Sequence, residues 1–69
     1  MVSYERLWKT MEKKGISQYR LINHYKISAG QIGRMKKNMH VSTHTLEVFC
    51  NILQCPGEDI VEVILDTQE

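Results

Sequence analysis

The sequence predicts an all-α fold, a compact bundle of about five short helices forming a single domain over residues 1–69. Three observations support it. Apolar residues recur at helical spacing along most of the chain, and serines and glycines stand where helices should start and stop. Strand-like composition is confined to one β-branched run, residues 60–64. At this length roughly 60% of the unfolded surface can be buried, so the core is small and each large apolar side chain counts. A content of 42% hydrophobic and 25% charged residues is that of an ordinary globular domain, neither disordered nor fibrous.

The first helix is expected over residues 4–13, where Tyr4, Leu7, Trp8 and Met11 form one stripe. Ser3 is placed to cap it and Gly15 to stop it. Its other face carries Arg6, Lys9, Lys13 and Lys14; a solvated face over a core stripe accounts for these better than a membrane-surface helix does. A second helix over residues 18–25 follows the cap Ser17 and contributes Leu21 and Ile22. The third, residues 28–37, opens on the capping box Ser28-Ala29-Gly30-Gln31, in which Gln31 can reach back to the cap amide. Its buried side is Ile32 and Met35, which leaves Ala29, Gly30, Gln31, Gly33, Arg34 and Lys37 facing outward.

Gly30 and Gly33 each cost this helix roughly 0.8 to 1 kcal/mol relative to Ala, so it is not built for its own stability. A glycine on an exposed face lets a groove wall come close; drift on a helix held by its neighbours is the plainer account. After the polar connector 38–41, Ser42 caps a fourth helix over 43–53 with the stripe Leu46, Phe49, Cys50 and Leu53. Pro56 opens a fifth over 57–66, with Ile60, Val63 and Ile64 as its core face. Val61 and Leu65 lie beside that face, available to a dimer or partner surface. The run 60–64 fits a strand on propensity alone, but its acidic start and helical neighbours favour helix.

Charge is sorted along the chain. Residues 1–37 hold all nine Lys and Arg against Glu5 and Glu12, for +7, and residues 38–69 hold six acids and no base, for −6. A chain divided in this way is expected to meet a polyanion with one end and hold the other end away, so nucleic acid is the first partner to consider.

Other classes are set aside. No stretch approaches 18 apolar residues and no signal-peptide core is present, which predicts a cytoplasmic protein without membrane attachment. Cys50 and Cys55 are too few for a disulfide framework and read as small core residues. With His40 and His44 they match no usual metal spacing, so neither a metal nor any other cofactor is expected. His24, His40, His44 and Cys50 lack the Gly-rich loop, paired-carboxylate cleft or pocket volume that catalysis on a small-molecule substrate needs, and the chain is not read as an enzyme.

Residues 18–37 form a unit: a short helix with Leu21 and Ile22, a tight turn at Lys26, apolar Ile27, then a helix with Ile32 and Met35. This is helix-turn-helix spacing, which holds the second helix proud of the body in a form that fits a B-DNA major groove. With Ile16-Ser17-Gln18, Ile27-Ser28-Ala29, Leu46, Leu53, Cys55-Pro56 and Asp59-Ile60, the chain resembles the lambda-repressor-like helix-turn-helix family of Cro and phage-repressor type, also called the Xre family, in its minimal single-domain form.

The resemblance implies a sequence-specific DNA-binding transcriptional regulator, a homodimer on a palindromic operator that reads double-stranded DNA through the helix 28–37. It places Ala29, Gly30, Gln31 and Arg34 toward the bases. Gln18, Ser28, Lys36, Lys37 and Asn38 face phosphate. The chemistry agrees for two of the base-facing residues, since Arg34 can pair with guanine O6 and N7 and Gln31 with adenine N6 and N7. Two positions depart from the family pattern: Ile22 stands where Ala is preferred and Lys26 where a turn glycine is usual, so the helix pair is expected to be spread or rotated. The rival expectation is a protein-interaction module of the same fold, an antitoxin-like or regulatory partner with weak or no operator reading.

Overall fold

A computed structural model describes residues 1–65. The elements in chain order are β1 (Val2–Ser3), α1 (Glu5–Lys14), α2 (Gln18–Asn23), α3 (Ala29–Lys36), α4 (Thr43–Leu53), a single 3-10 turn (Gly57–Asp59) and β2 (Glu62–Val63).

Serine side chains start three of the four α-helices. Ser17, Ser28 and Ser42 sit in extended conformation, and each accepts the amide of the residue three places on, from Arg20 at 3.1 Å, Gln31 at 3.0 Å and Thr45 at 3.2 Å. Such caps are each worth about 1 kcal/mol against alanine. α1 begins differently. Ser3 is drawn into β1, and its hydroxyl accepts the Glu5 amide at 3.3 Å from one residue before the cap position, which Tyr4 occupies without a side-chain bond. Gly15 closes α1 at φ 73, as its sequence position predicts.

α2 stops at Asn23, two residues short of the expected end, because the chain must reverse to start α3. Lys26 takes the left-handed conformation there, φ 63, and the Ile27 amide donates to the Leu21 carbonyl at 2.9 Å across the turn. A side chain other than glycine in this conformation costs roughly 1 to 2 kcal/mol. The lysine adopts the glycine-like geometry, and Ile22 packs half-buried against the core, so both residues are accommodated at their own positions.

That core consists of Tyr4, Leu7 and Met11 from the first turns, Leu21, Ile32 and Met35 from the α2–α3 unit, and Phe49, Leu53 and Ile60 from the rest. Cys50 and Cys55 are free and half-buried beside it; burial, with Cys50 and Asp59 nearby, pushes the Cys55 thiol above its ordinary range and keeps it protonated.

The fifth helix, and with it the strictly all-α description, is corrected. Only the single turn at Gly57–Asp59 coils. Ile60 then enters the core, and the chain extends to pair antiparallel with β1, Val2 opposite Val63 and Ser3 opposite Glu62. The Met1 and Ile64 backbones exchange bonds at the end of this ladder, 2.8 and 3.1 Å long. The β-branched residues follow their strand preference because residues 1–3 offer a backbone to pair with. Of the expected core face only Ile60 is buried, while Val63 and Ile64 are exposed. Residue 66, the expected end of that helix, lies outside the described residues.

Candidate nucleic-acid interface

The α2–α3 unit is built on Leu21, Ile32 and Met35, each no more than 3% exposed, so the outward positions of α3 are set by what these three bury. Ala29, Gly30 and Arg34 are exposed along that outward side, and Gln31 is half-buried. A Cβ placed on Gly30 or Gly33 meets nothing within 4 Å, and neither glycine has a positive φ, so the fold itself requires neither.

Gln31 does not close the expected capping box on Ser28. Ser28 accepts the Gln31 amide, but the Gln31 side chain turns toward the start of α4, where Nε2 donates to Thr45 Oγ1 at 3.5 Å. The two helix starts thereby border a cleft of about 180 Å³, lined among others by Lys26, Ser28, Gln31, His44 and Thr45. Lys26, His44 and Thr45 did not emerge as site residues from the sequence. No local pattern signals them, because they reach the cleft only through the tertiary approach of α4.

Gln18 is half-buried in the first turn of α2, next to Tyr19, which is 75% exposed. Ser28 uses its oxygen as a cap acceptor and keeps its hydroxyl proton for another acceptor. At the other end of α3, Lys36 and Lys37 are exposed. Asn38 turns the chain at φ 58, its Oδ1 accepts the Tyr4 amide at 3.3 Å, and its NH2 group remains available as a donor. Tyr4, buried, donates its hydroxyl to the Met39 carbonyl at 2.7 Å; burial pushes this hydroxyl above its ordinary pKa, so it stays a donor at neutral pH. Two bonds from one residue thus hold the segment that follows α3.

The cations divide into two groups. Between residues 18 and 37, Arg20, Lys26, Arg34, Lys36 and Lys37 stand with no acidic residue among them, and none is within ion-pair distance of a carboxylate among the described residues. Arg6 on α1, by contrast, donates to the Glu58 carbonyl at 3.2 Å and lies 3.5 Å from the Glu62 carboxylate, while Thr10 donates to the Asp59 carbonyl at 2.9 Å. The acidic C-terminal stretch therefore folds against the first helix at Arg6, while Lys9, Lys13 and Lys14 on α1 and the five cations of the α2–α3 unit stand without an ion pair among the described residues.

A family model for the Cro/C1-type HTH DNA-binding domain matches residues 6–66. A crystal structure of the transcriptional regulator VanUg is similar at 29% sequence identity with a TM-score of 0.83, covering 94% of this chain and 87% of that one. No curated protein sequence matches the chain. Among the described residues no helix is long and apolar enough to cross a membrane, and no three His, Cys, Asp or Glu side chains converge as a metal site would require.

Proposed function

The chain belongs to the Cro/C1-type HTH DNA-binding domain family, and on that premise we propose that it regulates transcription by reading a palindromic operator as a homodimer, with α3 in the major groove. The observation that carries this reading is the unpaired cationic surface of the α2–α3 unit, which coincides with the exposed side of α3. Arg34 and Gln31 read bases, with Ala29 and Gly30 lying against the groove wall. Gln18, Ser28, Lys36, Lys37 and the Asn38 amide contact phosphate and fix the register.

The second copy covers the sheet end, where Met1, Val63, Ile64 and Leu65 lie exposed together on and beside the paired strands. This surface stands where the sequence predicts a fifth helix. Selection of bound sequences from a random duplex pool at stated salt tests the proposal: a two-fold symmetric motif is expected. Absence of any enriched sequence, with duplex binding flat across the pool, favours the protein-interaction reading instead. Light scattering that shows only 8.1 kDa at operator-binding concentrations removes the dimer.

A further inference from the structure

We infer that Thr45, at the start of α4, is a positioning residue that selects which edge of the Gln31 amide faces a base; the inference rests on the proposal that Gln31 reads DNA. A glutamine amide has two faces of different chemistry. With Nε2 turned inward, one N–H is used inside the protein, and the outward edge presents Oε1 beside the remaining N–H, an acceptor and a donor. With the amide reversed, Oε1 is used inside and the outward edge presents two donors. The first edge matches adenine, whose major-groove face offers N6–H and N7; the second matches guanine, whose O6 and N7 both accept.

The structure places Nε2, not Oε1, against Thr45 Oγ1. Thr45 is held for this role from its own side: its hydroxyl lies 3.2 Å from Ser42 Oγ, and its amide donates to that same oxygen at 3.2 Å. Because Nε2 donates to Thr45 Oγ1, the Thr45 proton is free for Ser42 Oγ, and this arrangement leaves the amide with its mixed edge outward. The Ser42 cap of α4 thus also offers the Thr45 hydroxyl an acceptor in the arrangement that turns the mixed edge of Gln31 toward a base. Gln31 is half-buried against α4, which limits its freedom to find the other orientation.

The test compares wild-type, T45V and T45S proteins on duplexes that differ only in the base opposite Gln31, that position being identified as the one where Q31A loses preference. Wild type and T45S are expected to prefer adenine over guanine. T45V, which keeps the side-chain shape and removes the acceptor, is expected to lose about threefold to tenfold of that preference, the range that corresponds to freeing one side chain, with the salt dependence of binding unchanged. T45V with full adenine preference, or T45S as impaired as T45V, overturns the positioning role while leaving DNA reading intact. A wild-type protein that binds no duplex at low salt overturns the functional proposal and this inference together. Helical circular dichroism establishes that each variant is folded, and should T45V unfold, preserved preference in T45S with its loss in S42A supports the same chain of bonds.

Discussion

Arg6 and Arg34 are the same residue type in the same basic half of the chain, and the fold treats them oppositely. Arg6 is fastened by the Glu58 carbonyl and the Glu62 carboxylate into the seam between α1 and the C-terminal segment. Arg34 stands on α3 with no acidic partner among the described residues. The contrast teaches that net charge along a sequence overstates the field a partner meets. Arg6 is neutralised at home; of the eight other cations, none in an ion pair among the described residues, five lie within residues 18–37 and Lys9, Lys13 and Lys14 lie on α1.

Six substitutions break or sharpen this contrast. The largest effect falls on the support beneath the exposed side: Leu21→Ala, at a side chain with no exposure, is expected to cost about 2 to 5 kcal/mol in urea unfolding. Leu65→Ala, 80% exposed on the single chain, should move the stability of the monomer by less than about 0.5 kcal/mol, so a larger loss measures the dimer contact. Next, Arg34→Ala should remove about 1 to 3 kcal/mol of discrimination at one base position, measured on a panel of single-base operator variants; an even loss at all positions would reassign it to phosphate.

Gly33→Ala should raise stability by about 0.8 to 1 kcal/mol, since the added methyl meets open space, while weakening operator binding if the glycine serves close approach. Stabilisation without loss of binding would mark the glycine as drift. Smallest is the pair Lys37→Ala and Arg6→Ala. The first should flatten the logarithmic salt slope by about one unit, and the second should leave that slope alone and cost under about 1 kcal/mol of stability, as half-exposed ion pairs do.

Where a signal was local, the sequence carried it well. Ser17, Ser28 and Ser42 each announced a helix that begins on the next residue, and Gly15 ended α1 in the left-handed conformation. The C-terminal segment misled for the complementary reason. Val61 to Ile64 carry strand preference, but what makes them a strand is a backbone some sixty residues earlier, which no window of the sequence contains. Arg34 could be placed from helical period alone. Gln31 could not be fully placed, because its neighbour Thr45 arrives through the packing of α4, and the capping box predicted for it competes with that contact.

The double hold of Tyr4 on Asn38 and Met39 has a dynamic consequence. Tyr4 directly follows β1, so fraying of the two-stranded ladder tugs on the same residue that steadies the end of α3. In native-state hydrogen exchange, the amides of Ile64 and Met39 should open with matching free energies, as members of one cooperative unit, and Tyr4→Phe should uncouple their rates.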